Sequence, residues 1–161
     1  MKTPSLKKLA VAVSLAGALA LPGLAQARSL TLNTQMQSYR GDGAYLAFYL
    51  TDANGKYHST LWVAGKKAKY YKHLRDWNRG RSTDSASFDG ITGASVGSGE
   101  NLAVTVELAD ALLDAGYEIR VDSAVENKRD NAVDVKVPLT TQGAGQVSNG
   151  SGYIESFSYD L

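Results

Sequence analysis

Apolar and polar residues alternate along most of the chain after residue 29, with the two-residue period of strands that bury one face. The alternation is clearest around Leu30 and Leu32, which are separated and followed by polar residues. Residues 45–51 are apolar on both faces, which is typical of a fully buried strand. The pair Asn54 and Gly55 comes next and favours a tight hairpin, because both residues tolerate a positive φ angle. The pattern predicts about seven strands, over residues 30–36, 45–51, 57–63, 102–108, 117–125, 133–139 and 154–161.

The period changes once, between the third and the fourth predicted strand. Tyr70, Leu74 and Trp77 are spaced i, i+4 and i+7, which predicts one short helix over about residues 69–79. Gly80 is a typical residue for the end of such a helix. About seven strands separated by turn signals, together with one short helix, predict a mainly β chain that folds as an antiparallel β-sandwich.

The first residues have a different pattern, that of a secretory signal peptide. Three lysines and no acid precede an apolar run of 16 residues over positions 9–24. Ala25 and Ala27 then supply the small-x-small pattern that signal peptidase accepts. A membrane-spanning helix needs about 20 apolar residues, so we expect cleavage after Ala27 and no membrane span afterwards. The expected organisation is a signal peptide over residues 1–27 and a single periplasmic domain over residues 28–161.

Charge is distributed unevenly along the chain. The window from Lys66 to Arg81 contains seven basic residues and one acid, Asp76, and so carries a charge of +6. The rest of the chain after residue 27 carries −8, which makes this window its most unusual charge feature. The chain has no cysteine, which excludes disulfides, thiol nucleophiles and thiolate metal sites.

One motif suggests catalysis. Gly93, Ser95 and Gly97 match the G-x-S-x-G elbow of serine hydrolases, which requires a strand that turns sharply into a helix. Here a predicted strand follows, and the two histidines, His58 and His73, precede the serine, the reverse of the hydrolase order. We expect a glycine-rich loop, and a small periplasmic hydrolase that uses Ser95 or a pair of acids stays open as the alternative function. With two histidines and no cysteine, we expect neither a metal site nor a cofactor.

The segment from Trp62 to Arg81 is the strongest candidate for a binding surface, because it interleaves aromatic with basic residues. Such a surface can hold an anion by charge and stack a flat group on an aromatic face. The same pattern also fits a helix whose aromatic residues belong to the core and whose lysines face solvent, and both interpretations stay open. Nucleic acid is not expected as a partner, since the net charge after residue 27 is negative. The candidate ligand- or partner-binding residues are Trp62, Lys69, Tyr70, Lys72, His73 and Trp77.

Four segments together carry a resemblance to a known family. They are Ala44-Tyr-Leu-Ala-Phe-Tyr-Leu-Thr-Asp-Ala-Asn-Gly-Lys, Thr60-Leu-Trp-Val, Lys69-Tyr-Tyr-Lys-His-Leu-Arg-Asp-Trp and Asp89-Gly-Ile-Thr-Gly-Ala-Ser. With the late run Gly116-Tyr-Glu-Ile-Arg-Val, they resemble the predicted periplasmic proteins known as domain of unknown function 2271, over nearly the whole chain after residue 27. Many members have a Trp-Asp-Gly hairpin where this chain has Leu108-Ala-Asp-Ala, so a role tied to that hairpin does not carry over.

The resemblance implies an immunoglobulin-like sandwich and a location in the periplasm. It also implies an accessory role in iron or siderophore uptake, beside a PepSY-type membrane protein or an outer-membrane iron receptor. The family has no established catalytic residue to carry over. We therefore expect a periplasmic, non-enzymatic binding or accessory protein that holds an anionic small molecule or docks on a membrane partner through the Trp62–Arg81 surface.

Overall fold

A computed structural model describes residues 26–82 and 91–161 as two β-sheets packed face to face. Each of the seven predicted strands overlaps an observed one, which confirms the mainly β sandwich. Two further strands have two residues each, too short to produce a periodic pattern. The described strands are β1 Ala27–Met36, β2 Tyr45–Thr51, β3 Tyr57–Ala64, β4 Thr92–Gly93, β5 Asn101–Ala109, β6 Glu118–Ala124, β7 Asn131–Pro138, β8 Ser148–Asn149 and β9 Ile154–Asp160.

The predicted leader up to residue 25 and Asp89 of the fourth family segment lie outside the described residues.

The strand order of the two sheets follows the immunoglobulin-like plan. One sheet has the order β5-β1-β9-β8 and the other has the order β4-β3-β2-β6-β7. The run β3-β2-β6-β7 matches the C′-C-F-G sheet of that plan, and β5-β1 matches its E-B pair. The place of the first strand, A, is taken by the last strand of this chain, because β9 pairs with β1. All pairings between strands are antiparallel except that of β3 with β4.

The main core lies between the two sheets. Alternate residues of β1 and β2, among them Leu32 and Phe48, point into it and are fully buried. Phe157 of β9 packs near Phe48, with 6.3 Å between the ring centroids. The central strand β2 is also buried on its other face, where Tyr49 is only 2% exposed. This second buried face explains why residues 45–51 show no polar alternation.

A short helical segment covers that second face. It consists of a 3₁₀ helix, Ala68–His73, and an α-helix, α1, Arg75–Arg81. The predicted short helix over about residues 69–79 is confirmed as a helical segment, in which Leu74, with φ −84° and ψ 77°, separates the 3₁₀ part from α1. The buried residues are Tyr71, Leu74 and Trp77, spaced three apart, whereas Tyr70 is partly exposed. In a 3₁₀ helix, residues three apart lie on the same face. Tyr71, three residues before Leu74, is therefore the buried residue, in place of Tyr70, which lies four residues before it.

A buried carboxylate ties the two sheets together at one edge. Asp134 of β7 is 3% exposed and accepts hydrogen bonds from four consecutive backbone N–H groups, those of residues 151–154. The hydroxyl of Ser123 donates a fifth hydrogen bond. Because residues 151–154 lead into β9 of the opposite sheet, Asp134 fixes where the last strand enters the sandwich.

Candidate functional site

The helical segment presents its basic side chains outward and its largest aromatic side chains inward. Tyr71 and Trp77 pack edge to face against each other beneath the segment, with 5.3 Å between their ring centroids. The acid of the segment, Asp76, is partly buried and lies 3.4 Å from Arg79. The result is a cationic layer over the five-stranded sheet, formed by the exposed residues Lys66, Lys67, Lys69, Lys72, Arg75 and Arg79.

Asp122 of β6 anchors this layer to the sheet. Its carboxylate is fully buried and accepts hydrogen bonds from the backbone N–H groups of Asp76 and Trp77, at 2.8 and 2.9 Å. These N–H groups are among the unpaired donors at the start of α1, where a negative charge is favourable. The Tyr49 hydroxyl and the Val133 N–H donate to the other oxygen. Burial raises the pKa of Asp122 above its ordinary value, although all four donors favour the charged form.

A small cavity lies beside the cationic layer. It has a volume of about 170 Å³ and opens between the 3₁₀ helix and the turn that joins β6 to β7. The rings of Tyr45 and Tyr70 form one wall, with their centroids 5.2 Å apart and tilted by 60°. Ala124 and Val125 supply apolar surface, and His73 and Lys128 add polar groups. The cavity is therefore aromatic and apolar inside, with charged side chains near it.

The charged side chains around the cavity are arranged by contacts with one another. The ammonium of Lys69 lies 4.7 Å from the centroid of the Tyr70 ring, and its contact with Tyr70 raises the pKa of Lys69 above the ordinary value. The Tyr70 hydroxyl donates to Glu126 at 2.9 Å. The His73 imidazole lies 3.2 Å from a carboxylate oxygen of Asp130. Glu126 thus holds Tyr70 and Asp130 holds His73 at the margin of the cavity. Lys69 stays charged and exposed.

The structure brings four of the six candidate residues together and separates the other two from them. Lys69, Tyr70, Lys72 and His73 all lie on the 3₁₀ helix, and two of these, Tyr70 and His73, line the cavity.

Trp77 lies below this group and is fully buried, so it presents no surface to a ligand. Its indole N–H donates to Thr60, which fixes the ring in the core beneath the layer. Trp62 packs on the opposite face of the sheet, against the main core. Its buried indole N–H has no hydrogen-bond partner among the described residues. The two tryptophans therefore stabilise the sheet on which the candidate site is built.

Sequence reasoning missed six residues that line the cavity, and three of them carry aromatic or charged side chains: Tyr45, Glu126 and Lys128. Tyr45 begins β2, whereas Glu126 and Lys128 follow β6, so they meet the 3₁₀ helix only through strand pairing. The one signal in the sequence was that polar residues stand next to the end of an apolar strand.

The glycine-rich loop around Ser95 lacks the arrangement of a hydrolase elbow. Ser95 is exposed and is followed by a strand, β5, rather than by a helix. Within residues 26–82 and 91–161, no imidazole or carboxylate forms a hydrogen bond with its hydroxyl, and no three potential metal-ligating side chains converge. A side-chain Cβ at Gly43 would approach the Ser95 hydroxyl to 2.7 Å, so this loop is packed against residues 41–44. None of the helices in the described ranges is long and apolar enough to cross a membrane.

Comparison with known proteins gives a family. The model of the family described as predicted periplasmic protein, domain of unknown function 2271, matches residues 27–156. The chain belongs to this family. No curated protein and no solved structure matches the chain. The match includes the cationic layer and the cavity, so the candidate site lies within the family domain.

Proposed function

We propose that this member of the family is a periplasmic binding or accessory protein that holds an anionic partner against its cationic layer. One observation carries the proposal: six basic side chains of one short segment are exposed together, although the chain after residue 27 is acidic overall. The one acid of the segment, Asp76, already has Arg79 as its partner. A concentrated positive surface of this kind attracts anions and raises their rate of association.

The cavity beside the layer suggests how the partner is held. At about 170 Å³ it is smaller than the ~300–1,000 Å³ of ordinary ligand pockets. It is large enough for one ring or one apolar side chain, and Tyr45 and Tyr70 offer aromatic surface to such a group. A single anchor in a pocket surrounded by charge is a common arrangement at protein interfaces. The proposed partner therefore combines an acidic surface with one apolar or aromatic projection.

The family resemblance suggests the first partners to test. These are a PepSY-type membrane protein, an outer-membrane iron receptor and, among small anionic ligands, a siderophore. In each case the cationic layer would supply the long-range attraction and the cavity the short-range fit.

The test compares two variants of the protein purified from the periplasm. Lys69→Glu combined with Lys72→Glu changes the charge of the layer by four units, and both side chains are exposed, so the fold should survive. Gln146→Glu is the control, because Gln146 is exposed in the loop between β7 and β8 and lies outside the layer and the cavity. Each protein is used to capture partners from membrane and periplasmic extracts of iron-starved cells at low and high salt.

We expect the double variant to lose the partners that the parent and Gln146→Glu retain. Binding by the parent should weaken as salt rises, because exposed charges are screened over about 10 Å at 0.1 M ionic strength. Capture of the same proteins by all three forms would show that the layer is only a solvated surface.

We also propose that the leader is removed after Ala27. Arg28 is then the first residue, and its guanidinium still pairs with Asp110 beside the end of β5. The β1–β5 pairing from Arg28 onward is unchanged by the cut. The Ala27–Ala109 pair is lost, together with the hydrogen bond from the Asp110 N–H to the Gln26 carbonyl. The intact mass of the periplasmic protein should correspond to residues 28–161. A mass that includes residues before Arg28 would contradict this cleavage site.

A further inference from the structure

A second groove lies on the same face of the five-stranded sheet, beyond α1. Tyr45 of β2 lines the cavity described above, and Tyr49, four residues further along the same strand, lines this groove. The groove has a volume of about 330 Å³ and is bounded by the β2–β3 turn and by α1. The side chains that line it are those of Tyr49, Lys56, Tyr57, Asp76, Arg79 and Arg120.

The guanidinium of Arg120 is the central group of this groove. Its side chain is only 18% exposed, which is unusual for an arginine whose partner, Glu118, lies two residues away on the same strand. Nε and Nη2 both donate to one oxygen of Glu118, at 3.2 and 2.9 Å. Nη1 donates to no acceptor within the described parts of the chain. The edge formed by Nη1 and Nη2 therefore keeps donors that no group among residues 26–82 and 91–161 uses.

Gly55 keeps the approach to this edge open. It lies in the turn between β2 and β3 at φ +77°, a left-handed conformation in which glycine is favoured. A Cβ at this position would lie 3.1 Å from Nη2 and 3.7 Å from Nη1 of Arg120. Any larger residue would therefore crowd the unused edge of the guanidinium.

The other charges of the groove leave it positive. Arg79, whose side chain is 76% exposed, lies 3.4 Å from Asp76. Lys56 is exposed and forms no ion pair with a described residue. The two acids, Asp76 and Glu118, each already face an arginine. The groove therefore has three positive charges, those of Lys56, Arg79 and Arg120, against two negative ones.

From this geometry we propose that the groove binds the carboxylate of a small molecule on the Nη1–Nη2 edge of Arg120. A planar guanidinium edge matches the two oxygens of a planar carboxylate in a bidentate pair, which gives both orientation and affinity. Lys56 and Arg79 add positive charge at the rim, and the Tyr57 side chain lines the groove for the body of the ligand. This site shares only Arg79 with the cationic layer, and because Arg120 lies outside the layer it does not depend on the function proposed for that layer.

The planar edge favours a carboxylate over a tetrahedral phosphate, and a titration can distinguish them. The parent protein is titrated with sodium benzoate and, separately, with sodium phosphate, with chloride exchanged to hold the ionic strength constant. The readout is the NMR signal of the Arg120 side-chain Nε–Hε, together with the Gly55 amide signal. We expect benzoate to shift both signals saturably and phosphate to shift them more weakly.

Arg120→Lys keeps the charge but removes the planar edge, so it should weaken benzoate binding by about tenfold or more. For this variant, binding is followed at the Gly55 amide. Thermal unfolding of the variant confirms that it is folded. Should it fail to fold, Lys56→Gln combined with Arg79→Gln removes only rim charges and should weaken binding by about threefold or more. The double variant Lys69→Glu and Lys72→Glu is the matched control, because both side chains lie on the 3₁₀ helix, outside this groove, and it should bind benzoate like the parent.

The absence of saturable shifts with benzoate would overturn the proposal. Equal binding of benzoate by the parent and by a folded Arg120→Lys variant would also overturn it. Tighter binding of phosphate than of benzoate would replace the carboxylate by a phosphate and refute the bidentate geometry. Loss of benzoate binding in the Lys69/Lys72 variant would move the ligand to the cationic layer, and the groove would then have no role of its own.

Discussion

The substitution Asp134→Asn is expected to destabilise the protein strongly, although it changes one atom of a side chain. One carboxylate oxygen of Asp134 accepts from the N–H groups of Ser151 and Gly152, at 2.8 and 2.7 Å. The other oxygen accepts from those of Tyr153 and Ile154, at 2.8 and 3.1 Å. An asparagine has one oxygen and one NH₂ group. In either orientation the NH₂ therefore faces two backbone donors.

The magnitude follows from those two lost acceptors. A buried donor left without an acceptor costs about 1–3 kcal/mol, so two of them lower the free energy of unfolding by about 2–6 kcal/mol. The cheaper orientation turns the NH₂ toward Ser151 and Gly152, which are closer to solvent than Ile154. An entropy of unfolding of about 2.1 cal/mol/K per residue gives about 0.28 kcal/mol/K for the domain, and hence a fall in Tm of about 7–21 °C.

Thermal and denaturant unfolding of the purified protein measure this loss. Glu155→Gln is the matched control, because it removes the same charge from an exposed side chain close in sequence, and it should change stability by less than about 0.5 kcal/mol. If Asp134→Asn unfolds within about 1 kcal/mol of the parent, the backbone of residues 151–154 finds other acceptors and the reasoning fails.

Three further outcomes are expected. Asp122→Ala removes the acceptor of the α1 N–H groups. Hydrogen exchange at the Trp77 amide should therefore accelerate by more than the loss of global stability explains. Equal acceleration throughout the core would show that Asp122 does not anchor α1. The pKa of Asp114 lies below its ordinary value because a threonine hydroxyl and N–H donate to it. Its charged form therefore stabilises the fold at neutral pH, and this contribution is lost as the pH falls through that lowered pKa. Parent and Asp114→Asn should differ in Tm at pH 7 and converge once the pH is below that lowered pKa, and a constant difference would refute the linkage. Gly65→Ala places a Cβ 2.1 Å from a tyrosine ring, whereas Gly145→Ala meets nothing within 4 Å. Both have positive φ angles, so thermal unfolding should show a larger loss for Gly65→Ala, by about 1–3 kcal/mol.

The strands could be predicted from the sequence because each buries a face with a two-residue period. Periodicity also located the helical segment, but it did not give the division of that segment into a 3₁₀ and an α part. Tyr70 and Tyr71 are adjacent aromatic residues. Tyr70 lies four residues before Leu74, the spacing of an α-helix, and Tyr71 lies three residues before it, the spacing of a 3₁₀ helix. The choice between them depends on the sheet beneath, where Tyr71 donates to the backbone oxygen of Gly65. A local pattern contains no information about that contact.

The candidate site was predictable only in part, for a related reason. The charge of the segment is a property of its sequence, so the exposed lysines could be anticipated. Which aromatic residue is exposed depends on which face of the sheet each strand presents. Trp62 and Trp77 are both aromatic residues of one basic segment, yet they end on opposite faces of the same sheet. Arg120 could not be singled out, because its burial comes from a turn 65 positions earlier in the chain.

The pairing of β9 with β1 determines when during synthesis and export the protein can fold. Leu32, near the start of the domain, is paired with Tyr159, near its end, so the first strand lacks one neighbour until the last strand is available. A chain still emerging from the ribosome has unpaired edges on β1 and an open core, because loop closure over so many residues comes late. Such a chain stays extended for longer and can be threaded through a narrow membrane channel as an unfolded polypeptide. The same strand that completes the sandwich would therefore delay folding until the whole domain has reached the periplasm.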